Sequence, residues 1–368
     1  MENQYYEVVI TNREKERLDY VANVDIHLTG ALLNNPNDYR MIIQKFSIDG
    51  EALPISIIEL KQPQTPKTQD WETIHNVYIV NSSGTVASAN VLFNTERLPN
   101  NPPKPVKIEA GLGYYDNKDR YFFLYRYTYL IRKINEALEI AYSQLYSDTN
   151  YPRFVYDPKS QLITLFAPSS IFSYDLPNPA RFYFSMSLYK YVGEGFAGPF
   201  VMANAIPGIT ENTYSIDITA NSIKDTDSDS TFLAIPQEYI AITSFSTINS
   251  ILISSNNLPV RKEYFPSNPH PYLLSGDKTN AESYSSMSSF PILCKFYPNS
   301  FNAGDFRGKI IYSNNSIEVG DLIDFQSSRP LREMNISVHF VDNYNNIYPL
   351  TLIPGKSVSI TIAFIKIN

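Results

Sequence analysis

The sequence is short of cysteine, tryptophan, glycine and charge. It has 368 residues and one cysteine, Cys294, which excludes an intrachain disulfide and any metal site made of cysteines. Cys294 stands in the apolar run Phe290-Pro291-Ile292-Leu293-Cys294-Lys295-Phe296, where a buried, inert thiol is expected. Charged residues make up 18% and the net charge is −7. A nucleic-acid groove needs clustered Lys and Arg, whereas the first charged stretch, Arg13-Glu14-Lys15-Glu16-Arg17, alternates in sign. Strong nucleic-acid binding is not expected. No apolar run approaches the ~18 residues of a membrane helix. The opening Met1-Glu2-Asn3-Gln4-Tyr5-Tyr6 has neither the basic nor the apolar part of a secretory signal. Folding in a reducing compartment is therefore expected, and the sequons at Asn81, Asn314 and Asn335 carry no weight as glycosylation sites.

Catalytic motifs are missing as well. The four histidines, His27, His75, His270 and His339, show neither HxH nor HExxH spacing, and a solvated or interfacial role is expected for them. Gly111-Leu112-Gly113 is followed by Tyr114-Tyr115-Asp116, so the third glycine of a dinucleotide fingerprint is absent and a turn is expected. There is no nucleophile elbow and no P-loop lysine. Asp225-Thr226-Asp227-Ser228-Asp229-Ser230 begins like a calcium loop. It lacks the sixth-place glycine and carries Pro236 in place of the twelfth-place glutamate, so a solvated acidic loop is expected. These absences predict no catalytic residue, no cofactor site and no metal site. The chain reads as a non-enzyme.

What the sequence does have is 28 Tyr, 21 Phe and 25 Pro. Aromatic and β-branched residues suit pleated, half-buried surfaces, and proline punctuates loops between strands. Period-2 alternation dominates. Val24, Ile26 and Leu28 alternate with polar neighbours, as do Phe182, Phe184, Met186 and Leu188. Met334, Ile336, Val338 and Phe340 face one way, with Asn335, Ser337 and His339 the other. Val358, Ile360, Ile362 and Phe364 repeat the pattern beyond a turn at Asn345-Asn346. Strands with one buried face follow. Phe154-Val155-Tyr156, Asp157-Pro158-Lys159-Ser160 and Leu162-Ile163-Thr164-Leu165 read as a hairpin. A single 3.6-residue stripe of Leu130, Ile134, Leu138, Ala141 and Leu145 predicts one amphipathic helix over 128–145, packed across a sheet.

Long polar or proline-rich loops separate the strands, chiefly Gln62 to Lys67, Leu98 to Lys107 and Pro266 to Ser289. Such excursions are where β-sandwiches place contact surfaces. The glycine- and proline-rich stretch Gly193 to Gly208 suggests a boundary between two β-sandwich domains, 1–200 with the helix and 201–368. The fold class read from these patterns is all-β.

Two stretches add a resemblance. Arg329 to Tyr344 with Ser357 to Phe364 resembles a terminal hairpin of capsid proteins from virophages, adintoviruses and other polinton-like DNA viruses. Tyr127 to Leu145, containing Ile134-Asn135-Glu136-Ala137-Leu138 and followed by Phe154-Val155-Tyr156-Asp157-Pro158, is similar to a helix-then-hairpin pattern in the same group. The resemblance implies a jelly-roll β-sandwich; the length fits two jelly rolls joined near residue 200, as in double jelly-roll major capsid proteins, or one roll with elaborate insertions, as in penton or minor capsid proteins. It also implies a structural role: self-assembly through loop contacts into an icosahedral shell, made inside the host cell. The partners implied are itself, as trimers for a double roll or pentamers for a penton, and other capsid proteins. The competing expectation is a carbohydrate- or receptor-binding β-sandwich, whose exposed Tyr and Asn would stack on and hydrogen-bond sugars.

Overall fold

The computed structural model describes residues 3–14, 20–50, 53–59, 70–94, 121–193, 195–196, 202–203, 206, 208–209, 212–216, 218, 223–224, 232–239, 248–260, 263–264, 289–290, 292–297, 309–313, 322–342, 347–352 and 354–367. Contacts gather Met1–Pro54 and Thr247–Asn368 into one unit, and Ile55–Asn100 and Lys118–Ser246 into a second. The expected sequential halves, 1–200 and 201–368, are not the units that form. The physical reason is strand pairing: Gln4 lies opposite Phe364 in one ladder, which no single cut of the chain permits. The second unit is an insert within the first.

The first unit has eight principal strands: β1 (Gln4–Thr11), β2 (Asn23–His27), β3 (Tyr39–Asp49), β4 (Ile248–Ser254), β5 (Ile292–Phe296), β6 (Lys309–Ser313), β7 (Glu333–Asp342) and β8 (Ser357–Lys366). One sheet runs β1-β8-β3-β6 and the other β2-β7-β4-β5, all antiparallel. Every pair of strands whose numbers sum to nine is hydrogen-bonded. This nesting is the signature of a long hairpin rolled into two Greek keys, a jelly roll. The insert occupies the connection between β3 and β4.

The predicted alternation explains which faces the roll buries. Val358, Ile360, Ile362 and Phe364 on β8 and Phe46 and Ile48 on β3 are buried, as are Met334, Ile336, Val338 and Phe340 on β7. Aromatic rings hold the interior: Phe46 stacks on Phe296 at 5.1 Å, and Phe296 meets Tyr312 at 4.3 Å. Each fully buried aliphatic or phenyl side chain contributes about 2–3 kcal/mol.

Two expectations about β7 and β8 are corrected. They are not partners in a terminal hairpin: β7 pairs with β2, β4 and Ile347–Pro349, whereas β8 pairs with β1 and β3. The expected Asn345-Asn346 turn lies outside the described residues. Nor is the second face of β7 open to water, because Asn335 and Ser337 are buried. A polar face can be covered when its hydrogen bonds are met within it, as those of the Asn335 and Ser337 side chains are.

The insert is built from local hairpins and one long helix. Asp70–Val80 pairs with Val86–Asn94 in a five-stranded sheet that also holds Arg181–Ser185, Thr213–Ile216 and Met202–Ala203. Arg153–Tyr156 and Ile163–Pro168 form the expected hairpin within a four-stranded sheet completed by Phe232–Pro236 and Ile223–Lys224. Helix α1 (Tyr127–Ser143) buries Leu130, Ile134, Leu138 and Ala141, the predicted stripe. It packs on the 70–80/86–94 hairpin and on strand 153–156. Asn135 clamps helix to strand, donating from Nδ2 to the Phe154 carbonyl at 2.8 Å and accepting the Phe154 N–H at 2.8 Å. The expected strand through Phe182, Phe184, Met186 and Leu188 stops at Ser185. Helix α2 (Met186–Val192) then takes over, leaving Met186 exposed and Leu188 buried.

The glycine-rich stretch is not a domain boundary, since its described part lies inside the insert. Gly193 ends α2, and Gly195 has φ +86 with space for no Cβ, which would lie 2.5 Å from the Tyr239 carbonyl oxygen. Among the described residues, the insert's strand order lacks the nested pairing of the roll. Among the described strands one nested roll forms; the insert instead combines hairpins with distant pairs such as 181–185 on 70–80 and 163–168 on 232–236.

Candidate assembly surfaces

Of the residues singled out by sequence, the structure brings few together. Among the described residues no group of three or more His, Cys, Asp or Glu side chains could hold a metal ion. The acidic stretch 225–230, the glycines 111–113, His270, Asn314 and nearly all of the three proline-rich loops, except Ser289, lie outside the described residues. Cys294 is half-buried on β5 rather than fully buried. His27 is exposed, with Nδ1 3.6 Å from Glu333 Oε1. Asn335 sits buried with its amide nitrogen donating to Asn23 and Asp25.

His75 is the one histidine beside a hydroxyl in the insert, its Nδ1 2.9 Å from Ser187 Oγ. A nucleophile and base need that distance, but they also need a substrate. His75 is 2% exposed, its ring lies edge-on to Tyr191 at 5.3 Å, and the Ser187 hydroxyl also donates to the Ile74 carbonyl. This is a buried packing contact.

The more telling geometry is on the roll's outward faces. Strand order and register place Val9, Ser359, Ser47 and Ile311 in one cross-strand row, and Glu7, Thr361, Lys45 and Ser313 in the next. Val9 is 57%, Tyr5 55% and Ile311 51% exposed. Ser359, Thr361 and Ser47 stand with Lys45 on the two central strands, and the large apolar Tyr5, Val9 and Ile311 stand on the flanking strands. Strand β1 is also an edge: among the described residues it pairs only with β8. Its sequence, Gln-Tyr-Tyr-Glu-Val-Val-Ile-Thr, has none of the proline or lysine that usually blunts an edge against pairing. Sequence reading passed over β1, although its β-branched and aromatic run without a turn residue was the available signal.

The outward face of the other sheet differs. Asn335 and Ser337 on β7 and Ser254 on β4 are buried there. Ser337 Oγ donates to Asn23 Oδ1 at 2.9 Å. The Asn257 side-chain oxygen accepts the Asn335 N–H at 2.6 Å. Beside this polar layer, Leu252, Ile292, Val341 and Ile347 form a separate small apolar cluster. His339, half-buried, sits between the two, its Nε2 3.1 Å from Ser254 Oγ. Burial pushes the imidazole down to about 4, because the charged form loses water it cannot replace.

Comparison with known proteins points one way. A family model for the Sputnik minor capsid protein V18/19 matches residues 4–366. Uncharacterized protein V18 of Sputnik virophage is 29% identical over 142 residues, covering 38% of this chain and 83% of that protein. Structural protein V19 of the same virophage is 24% identical over 223 residues, covering 58% and 93%. A chain in the cryo-EM structure of the Sputnik virophage superposes with a TM-score of 0.74 at 22% identity, over 99% of this chain and 98% of that one. The crystal structure of the mavirus penton protein superposes with a TM-score of 0.60 at 17% identity, over the whole of both chains. The solved structures share the fold.

Proposed function

Because the chain belongs to the Sputnik minor capsid protein V18/19 family, and is thus a structural protein of the virion, we propose that it works as a vertex protein whose single rolls close into a fivefold ring. The observation that carries this reading is the single nested roll among the described strands, together with a penton protein of matching fold over its full length. Five single rolls close a vertex, whereas the trimer belonged to the two-roll expectation. Its partners are further copies and other capsid proteins. A catalytic role has no support: in each of the two close His–Ser pairs, His75–Ser187 and His339–Ser254, one member is 2% exposed, and the relatives named for a role are structural or capsid proteins. The apolar-flanked outer face of β1-β8-β3-β6 favours contact with protein over contact with nucleic acid.

Light scattering coupled to size-exclusion chromatography, followed by negative-stain imaging, tests the reading. Pentameric rings are the expected result. A stable monomer at high concentration that binds glycans on an array would overturn it in favour of a receptor-binding module.

A further inference from the structure

We propose that the outward face of the β2-β7-β4-β5 sheet is an acid-sensitive seam of the roll, with His339 as the group that takes up the proton. The inference goes beyond the fivefold reading and does not depend on it. Three observations carry it. First, this face is covered, so opening it is a structural change: Leu252 is fully buried, Ser254 is 2% exposed, and Asn335 and Ser337 are nearly as enclosed. Second, His339 lies at the border of two unlike layers. On one side is the apolar cluster of Leu252, Ile292, Val341 and Ile347. On the other is the hydrogen-bonded set of Ser254, Ser337, Asn335, Asn23 and Asp25.

Third, the groups that face the ring do not favour a charge. Leu252 and Pro349 flank His339 across the strands on either side. On its own strand Ser337 and Val341 share its face, and Ser254 Oγ meets Nε2. The next strand outward places Lys295 in the same row, opposite Leu252, with its ammonium over the Tyr297 ring. On β2, Asp25 lies opposite Asn335 and accepts from its amide, while His27 and Glu333 pair at the far end of the strand. Asp25 and Glu333 are thus engaged elsewhere, Asp25 with Asn335 and Glu333 with His27.

The sign follows from linkage. Folded His339 titrates at about 4, against an ordinary value near 6.5. Above 6.5 the ring is neutral in both the closed and the opened state, and pH has no effect through it. Between 6.5 and 4 the opened state binds a proton that the closed state refuses, so stability is lost as pH falls through that window. Acid would therefore loosen one sheet of the roll and leave the β1-β8-β3-β6 sheet without a trigger of its own.

Hydrogen–deuterium exchange on the full chain at pH 7.5 and 4.5, corrected for intrinsic rates, tests this. Peptides spanning 248–254 and 333–342 should exchange at least about tenfold faster at the lower pH, as a shift of more than one pKa unit requires. Peptides spanning 4–11 should not change comparably. His339→Gln keeps a side-chain nitrogen able to bond Ser254 but cannot take up the proton, so it should abolish the acid response. An unchanged acid response in H339Q would overturn the proposal, as would its absence in the wild type. Should H339Q fail to fold, an NMR titration of wild-type imidazoles decides: a His339 midpoint well below 6 supports the seam, and one near 6.5 refutes it.

Discussion

The roll and the insert are both β-rich, yet they differ in how much of their strand pairing is local. The roll joins residues from far apart, with Gln4 opposite Phe364, Lys309 opposite Asp49 and Met334 opposite Ile26. The insert mixes local and distant pairs: Tyr156 faces Ile163 with six residues between them and Val80 faces Val86 with five, while Arg181 lies opposite Val80 and Leu165 opposite Ile235. Its turn at Asp157 is secured within itself, the carboxylate accepting from the Lys159 and Ser160 N–H groups and from Ser160 Oγ. Those bonds hold the Asp157 carboxyl below its usual range. Non-local pairing defers its reward until a large loop has closed, whereas local pairing returns it at once. The roll should therefore form late and cooperatively, and the insert should tolerate local damage locally.

Substitutions sharpen that contrast. The largest effect is expected of Val338→Asp, which puts a carboxylate into the roll's interior at a fully buried position. The unpaired charge should cost several kcal/mol and eliminate soluble protein, as measured by expression and sedimentation. Phe184→Ala empties a fully buried site in the insert and should cost about 3–5 kcal/mol. Exchange should rise in the insert's strands while 357–366 stays protected; loss of protection in both units together would break the distinction between them. Ser337→Asp removes the bond to Asn23 and crowds Asp25, so about 1–3 kcal/mol is expected, less than for Val338→Asp at the neighbouring position. A chemical denaturation series on the pair would measure the gap.

Asn135→Ala leaves the Phe154 N–H and carbonyl without their side-chain partner and should cost about 1–3 kcal/mol. The smallest effect is expected of Tyr127→Phe. It removes the 2.6 Å bond from the buried hydroxyl to the Tyr191 carbonyl and should cost about 1 kcal/mol, with ring packing kept. Equal costs for Tyr127→Phe and Asn135→Ala in thermal unfolding would mean that the helix-to-strand clamp has no special weight.

The same contrast governs what could be read from sequence. Helix α1 was legible because Leu130, Ile134 and Leu138 repeat on one face within nine residues of local chain. The 153–168 hairpin was legible because its turn chemistry sits between its strands. The faces of β7 and β8 were legible too, since alternation is local. Their partners were not, because nothing in Met334–Phe340 names β2 and β4. The mistaken hairpin and the mistaken cut near 200 share that cause. Met186 misled for another reason: an apolar residue at the right period was taken as core, yet a helix start turned it outward. The candidate surface was missed because Tyr5, Val9 and Ile311 come from two distant strands and meet only through the ladder.

The nested pairing has a consequence in time. A ribosome adding about 5–20 residues per second emits β1 first, and the strand that completes its ladder follows only after some 20–70 s. Through that interval the insert can fold on its own hairpins, while β1 trails as an unpaired ribbon with an unblunted edge. A polypeptide that stalls before β8 lacks the strand joining β1 to β3 and has no closed roll to offer a neighbour. Truncated products are thereby excluded from the shell by topology alone, with no separate inspection step.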